Sequence, residues 1–450
     1  MFCSCKNDPD ETRPNYNICP VCTAQPGTLP VINKEAVRHV LRIGAAVGSS
    51  LADFTEWDRK HYFYPDIPKG YQISQYKYPL VSGGSIRGVK LTRIHLEEDT
   101  GSNVHDQGEY SLVDYNRSGV PLMELVTEPM IHDAETAVLF AKELQLLLRY
   151  LGASDANMEK GEMRVEANVS VSKTETFGTK VEIKNLNSFR SVEGAIRYEI
   201  DRQIAVLEDG GAIIQETRGW DEANAKTFSQ RKKESSHDYR YFPDPDLPKM
   251  VISEIPEFRE IRKNLPELPW EKRNRLLRTY KLPEETVEIY VADQLFGALF
   301  DGVAKELAGD IDTIRTASNY ITSDLVALSK TFGNGIGNVD ARSFAALMRM
   351  LKKNELSSRG AKDILSVLYE AGGDPQAIAR SRGLIQQSDP SALRAIVRDV
   401  LAANEKVVSE YRGGKEASLQ FLVGQGMKAS GGSANPQVLA SLIQEELAKH

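Results

Sequence analysis

Two apolar runs, residues 90–96 and 120–126, read as strands. Side chains alternate faces along a strand, so Thr92, Ile94, Leu96 and Glu98 share one side of the first. By the same parity Glu124 sits between Leu122 and Val126, in a strand apolar on both faces. The cleanest alternation is M-R-V-E-A-N-V-S-V-S, which turns Met163, Val165, Ala167, Val169 and Val171 one way. Arg164, Glu166, Asn168 and Ser170 point the other way. In the next run, K-V-E-I-K-N-L-N-S, Val181 and Ile183 lie inside and Lys180, Glu182 and Lys184 outside. Paired as antiparallel neighbours, these two strands would carry acid, amide and base on one floor; a plain solvated face alternates in the same way.

Helical periodicity marks residues 34–47 and 192–207, the latter stopping at Gly210-Gly211. Asp133 caps another helix, which ends at Gly152 and carries Val138, Ala141, Leu144, Leu148 and Leu151 on one face. Prolines at 243, 245, 248, 256, 266 and 269 mark a linker, after which the pattern is helical throughout. Helices are predicted over residues 284–308, 318–330, 340–353, 357–371, 390–403, 415–428 and 436–449. This half shows no catalytic constellation and reads as a binding or assembly module, with Arg412, Lys415 and Lys428 as unspecific RNA contacts.

The length of 450 residues suggests two to four domains, and 41% hydrophobic with 26% charged residues is ordinary for a soluble protein. No apolar run approaches the ~20 residues needed to span a bilayer, and no secretory segment precedes Cys3, so a cytoplasmic protein without a membrane partner is expected. A net charge of −7 gives no global basic field, so any nucleic-acid partner would have to be bound by a local basic face.

All four cysteines, Cys3, Cys5, Cys19 and Cys22, fall in C-x-C and C-P-V-C pairs. In a reducing compartment that spacing favours a structural Zn²⁺ over disulfides, the bland alternative being four idle thiols. With all four zinc positions filled by protein, no place remains for a substrate. The polar loop between the pairs is expected to need such a clip to hold its shape.

Glu98 and Glu124, ending neighbouring strands, suggest a hard divalent ion such as Mg²⁺, because a carboxylate in an apolar strand costs several kcal/mol unless a cation compensates it. The bland reading is a salt bridge from either to Arg93 or Arg117. The stretch W-D-R-K-H-Y-F-Y-P-D-I-P-K-G-Y-Q-I-S-Q-Y-K-Y-P sets aromatic faces beside positive charge, which suits a nucleotide or an RNA end. A surface loop stapled by its own aromatics would look the same. Arg231, Lys232, Lys233 and Arg240 could neutralise a polyphosphate; Arg240, between Tyr239 and Tyr241, is the better candidate and the other three suit a solvated face.

Taken together, R-I-H-L-E-E-D-T-G, V-D-Y-N-R-S-G-V-P-L-M-E-L-V-T-E-P, F-G-T-K-V-E-I-K-N-L-N-S-F, D-Y-R-Y-F-P-D-P-D-L and the F-L-V-G-Q-G-M-K tail resemble the B subunits of the Asp/Glu-tRNA(Asn/Gln) amidotransferases. The resemblance implies an α+β fold: an antiparallel-sheet cradle of the glutamine synthetase type over residues 1–262, a helical domain over 263–380 and a helical tail over 381–450. It implies ATP-dependent phosphorylation of the side-chain carboxylate of Asp-tRNA(Asn) or Glu-tRNA(Gln). Ammonia released from glutamine by a partner amidase then displaces phosphate, the two chains forming a heterotrimer with a third, small protein. It places Glu98 and Glu124 on Mg²⁺ and Cys3, Cys5, Cys19 and Cys22 on Zn²⁺. Glu98, Glu124, Glu166 and Lys184 are the expected catalytic residues, and Arg164, Asn168 and Arg240 the expected ATP- and phosphate-binding ones, these last five by strand parity and charge within family blocks. Glu166 stands where an aspartate is expected.

Members usually open with a strand like G-L-E-V-H whose histidine joins the metal, whereas this sequence opens Met1-Phe2-Cys3. A misplaced start is the favoured explanation. The competing reading is a tRNA-holding scaffold with an incomplete phosphoryl-transfer site. A free-standing carboxylate–amine ligase is disfavoured by the long helical half.

Overall fold

The computed structural model describes residues 1–104, 108–232, 239–386, 389–431 and 434–449. Lys233 lies outside the described residues, as do the side chains of Arg231 and Lys232. The chain divides into two compact units, Met1–Pro269 and Trp270–His450. The first is rich in sheet and the second is helical.

In the first unit an antiparallel sheet runs in the order Ser50–Leu51, Val81–Ser82, Val89–Glu98, Pro121–Thr127, with Ser85–Ile86 folded back on the long strand. Strand Val89–Glu98 begins half-covered, with Val89 and Leu91 buried and Lys90 and Thr92 exposed, and from Ile94 to Glu98 it is buried on both faces. Helix Lys34–Ala46 starts where Asn33 accepts the amides of Glu35 and Ala36, and buries Val37, Val40, Leu41 and Gly44 as one stripe. Gly44 is required by the packing: a Cβ there would lie 2.5 Å from Val81 Cγ2.

The expected burial of Glu124 does not hold. Strand Pro121–Thr127 is the last in the order of its sheet, and the Glu124 side chain is 47% exposed. The apolar run signalled an edge strand rather than a central one.

A second sheet follows the order Val165–Val169, Val181–Leu186, Glu216–Asp221, Lys226–Lys232. The first pair is antiparallel, as the alternation requires. The middle pair is parallel, because helix Phe189–Glu208 carries the chain back before the third strand begins. Met163, Ala167, Val169 and Ile183 pack under helices Ala134–Tyr150 and Phe189–Glu208 through Val138, Ala141, Val192, Ala195 and Ile196. Arg164, Glu166 and Asn168 are exposed on the other face. Asp133 and Ser188 cap the two helices by accepting the amides of Thr136 and Ser191.

The helical unit keeps most predicted helices and divides two. Asp293 interrupts the expected 284–308 helix by capping Gln294–Glu306, where it accepts the amides of Leu295 and Phe296. The expected 318–330 helix is Ile311–Tyr320, a wider turn Ile321–Leu325, and Val326–Phe332. Short helices Pro375–Ser381 and Glu405–Arg412 were not anticipated. Helices Pro390–Ala403, Ala417–Ala429 and Pro436–Ala448 gather around Leu393, Val397, Leu422, Leu439 and Ile443. No helix among the described residues is long and apolar enough to cross a membrane.

Candidate functional site

The ladder between Val89–Glu98 and Pro121–Thr127 sets Glu124 opposite His95 and Leu122 opposite Glu97. Directly opposed residues share a face, and so do residues two apart on one strand, so His95, Glu97 and Glu124 converge. His95 Nε2 lies 3.5 Å from Glu97 Oε2 and 4.0 Å from Glu124 Oε2. One ligand atom from each falls within 4.8 Å of the others. His95 and Glu97 are buried, and Glu124 closes the group from the solvent side.

Ser74 Oγ donates to Glu97 Oε2 at 2.9 Å. Burial pushes the Glu97 carboxyl up, but His95, the Lys60 charge and the Ser74 hydroxyl together hold it below the usual carboxylate range. His95 Nδ1 is buried and has no hydrogen-bond partner among the described residues.

Glu98 is not part of this group. It alternates to the opposite side of the strand from Glu97, where Lys69 Nζ donates to Oε2 at 2.6 Å and the Ile73 amide donates to Oε1 at 2.8 Å. Burial raises its carboxyl, and the Lys69 charge does not fully offset that. The expected Glu98–Glu124 pairing is therefore replaced by Glu97–Glu124. Parity along each strand does not fix the register between strands, and register decides which acids meet.

Around the cluster stand the aromatics of two segments. Strand Asp58–His61 pairs with Tyr71–Ser74 and with Phe242–Pro243, which brings Tyr239 and Tyr241 beside Tyr62 and Tyr76. Tyr241 stacks on Tyr76 with centroids 4.4 Å apart and planes 9° apart. Lys60 Nζ lies 5.0 Å above the Tyr239 ring. Burial, with the charges of Glu97 and Glu124 adding to it, raises the Tyr241 phenol. Arg240, exposed between the two tyrosines, has a left-handed φ of 44°.

On the second sheet Lys184 Nζ is 3.0 Å from Glu166 Oε1 and 3.8 Å from Glu182 Oε1. Burial opposes the Lys184 charge, but Glu166 and Glu182 outweigh it and raise the ammonium. Arg164 Nη2 donates to Asp99 Oδ2 at 2.8 Å, while Asn168 is exposed two steps along the same floor, beyond Glu166.

The four cysteines come together as their spacing requires: Cys3 Sγ is 3.5 Å and Cys19 Sγ 3.7 Å from Cys22 Sγ, and all four sulfurs fall within 4.8 Å of one another. Tetrahedral zinc at about 2.3 Å from each sulfur needs edges of about 3.8 Å, so the group could hold a metal. Against burial, the amides of Cys22 and Val21 bring the Cys19 thiol down to about 7. Burial and the neighbouring Cys3 push Cys22 up to about 11. The polar loop is not held by the cysteines alone. Asn17 N–H donates to Asn116 Oδ1 at 2.8 Å, Asn116 Nδ2 to Arg13 O at 2.8 Å, and Asn15 N–H to Asp114 Oδ1 at 2.8 Å.

Residues 1–256 match the GatB/GatE catalytic domain and residues 299–447 the GatB domain. The chain is 42% identical to the B subunit of the aspartyl/glutamyl-tRNA(Asn/Gln) amidotransferase of Caldicellulosiruptor saccharolyticus, over all of this chain and 96% of that relative. The chain belongs to the family of aspartyl/glutamyl-tRNA(Asn/Gln) amidotransferase B subunits. The same name is carried by a relative from Thermoanaerobacter pseudethanolicus, 42% identical over all of this chain and 96% of its own length. Another, from Persephonella marina, is 43% identical over 99% of this chain and 95% of its own. Both strands of the three-residue cluster, the tyrosine wall and the cysteine knuckle lie inside the catalytic-domain match.

Sequence reasoning missed His95 and Glu97, although both stand in the R-I-H-L-E-E-D-T-G block. The signal was available: a histidine and an acid two apart on a strand project to one face.

Proposed function

We propose that this chain uses ATP to phosphorylate the side-chain carboxylate of Asp-tRNA(Asn) or Glu-tRNA(Gln). Ammonia from a partner amidase then gives the amide, with a third, small protein completing the heterotrimer. The observation that carries this reading is the His95–Glu97–Glu124 cluster inside the matched catalytic domain.

The two carboxylates are the oxygen donors Mg²⁺ takes, and His95 Nε2, 3.5 and 4.0 Å from them, stands at spacings between the about 3 Å of adjacent and about 4 Å of opposite ligands in an octahedron with ~2.1 Å bonds. When bound, the ion would neutralise charge on the transferred phosphoryl group. Ser74 fixes the Glu97 carboxylate by its hydrogen bond, and His95, with the Lys60 charge behind it, holds it ionised. Lys184, kept charged by Glu166 and Glu182, supplies a cation on the second sheet floor, where Arg164 and Asn168 serve the phosphates, with Arg240 serving them from between the two tyrosines. Glu98, held by Lys69, acts as a positioning residue under the strand. The cysteine knuckle holds a structural Zn²⁺.

The test is amide formation on misacylated tRNA by the chain assembled with its partners. ATP should be consumed only when Asp-tRNA(Asn) or Glu-tRNA(Gln) is present, and Glu124→Gln should lower the rate at least about tenfold. ATP turnover that ignores both the tRNA and Glu124→Gln would leave a tRNA-holding scaffold in place of the kinase.

A further inference from the structure

Beyond its strand, residue 99 stays bonded to the neighbouring segment across a bulge there, where two residues face one: Asp99 N–H donates to Val120 O at 2.8 Å and Gly119 N–H to Asp99 O at 2.9 Å. The alternation that puts His95 and Glu97 on one face therefore carries Asp99 to the same face, about 7 Å further along. Asp99 is buried, and two arginines from separate segments meet on one of its oxygens. Arg164 Nη2 lies 2.8 Å and Arg117 Nε 3.3 Å from Oδ2, while the Thr100 amide takes Oδ1 at 2.8 Å.

Two guanidinium charges around one carboxylate leave one positive charge uncompensated. The arginines are not buried with their anchor: their side chains are 38% and 41% exposed. Arg117 spends Nε and Nη2 on Thr100 O and Gly101 O, at 3.1 and 3.2 Å, and among the described residues its Nη1 has no protein partner. Arg164 engages Asp99 through Nη2 alone. Outward N–H groups on two converging guanidiniums match a phosphate oxyanion, which offers several acceptor oxygens and more than one charge.

The backbone under Arg117 is fixed as well. Asn116 is stitched to Arg13 and Asn17 of the cysteine knuckle, and Ser118 Oγ donates to Cys22 O at 3.3 Å. A long side chain on a braced turn loses less freedom on binding than one on a free loop.

We propose that Arg117, held with Arg164 on Asp99, completes a phosphate-binding pair one step along the strand face from the His95–Glu97–Glu124 cluster, so that the arginine already assigned to phosphate does not act alone. The pair rests on the kinase reading only for which phosphate it serves, the polyphosphate tail of ATP; anion capture itself follows from the guanidinium geometry.

The probe is inorganic pyrophosphate, titrated calorimetrically into the full chain without added divalent metal and again with Mg²⁺·ATP. Arg117→Ala and Arg164→Ala should each weaken pyrophosphate binding about tenfold, the worth of one charge-assisted hydrogen-bonding partner, and should flatten its salt dependence. Arg117→Lys and Arg164→Lys should recover part of the loss, with melting temperatures showing that every variant folds. Variants that bind pyrophosphate like the parent would overturn the pair, and so would a parent that binds none. Aspartate competing with pyrophosphate at equal concentration would also overturn it, by making the site a carboxylate pocket. If both variants lose pyrophosphate while the assembled enzyme makes amide without ATP, the anion pair stands and the kinase reading fails.

Discussion

Glu124 stands directly across the ladder from His95, and that one register relation creates the candidate metal group. It brings an exposed acid on an edge strand against a buried imidazole, with Glu97 following on the same face. A metal held there has two ligands fixed by packing and one open to solvent.

Removing a ligand should therefore act on metal affinity, and the two adjacent glutamates should separate cleanly. Mn²⁺ binding followed by electron paramagnetic resonance is expected to weaken at least about tenfold in His95→Ala, Glu97→Gln and Glu124→Gln. Glu98→Gln, on the other side of the strand, should change it by about twofold or less. Equal losses for Glu97→Gln and Glu98→Gln would remove the cluster as the binding site.

The same two residues should respond to pH with opposite signs. Glu97 has a folded pKa below the ordinary 4.5, so its contribution to stability is complete above pH 4.5 and is lost as pH falls through the lower folded value. Glu98 has a folded pKa above 4.5, so its charged form costs stability at high pH. That cost is relieved as pH falls through the raised value toward 4.5. Thermal melts across pH 3 to 8 (about the span over which carboxylates titrate) test this. Glu97→Gln should be less stable than the parent at neutral pH, with the gap closing in acid. For Glu98→Gln the difference should drift in its favour as pH rises.

Much of the fold could be read from periodicity because single elements are local. Asp133 and Ser188 cap helices that their own apolar stripes define, and Met163–Ala167–Val169 alternate into the core that their pattern requires. What sequence does not encode locally is where two strands slide against each other, or whether a strand is central. For that reason Glu98 looked like the partner of Glu124, and Glu124 looked buried. The polar loop at residues 6–18 shows the same limit: its holding partners, Asp114 and Asn116, lie about a hundred residues away. Asp293 is the reverse case, a capping residue visible in the sequence but masked by apolar residues on both sides.

The cysteine knuckle should depend on Asn116 as well as on metal. Asn116 accepts from Asn17 N–H and donates to Arg13 O, two bonds worth about 1 kcal/mol each in net terms. Asn116→Ala is expected to speed hydrogen exchange at the Asn17 amide and to hasten zinc loss to a chelator. Cys19→Ser should abolish zinc retention. An Asn116→Ala protein with parental exchange and zinc release would show that the sulfurs hold the loop alone.

Gly44 tests how tightly the first sheet is covered. Helix propensity alone favours Gly44→Ala by about 1 kcal/mol, because glycine is costly inside a helix. Opposing it, the new methyl would sit 2.5 Å from Val81 Cγ2, 2.8 Å from Val81 Cγ1 and 2.9 Å from Leu51 Cδ2. Val81 is fully buried and paired with Ile94, so it has nowhere to rotate. Overpacking of that kind costs about 1–3 kcal/mol, which outweighs the propensity gain at all but its lower limit. Gly44→Ala should therefore lower the melting temperature of the first unit. Because Ile94 adjoins His95, it should also loosen Mn²⁺ binding at the cluster. A more stable Gly44→Ala protein would mean that the helix rides higher on the sheet than these contacts allow.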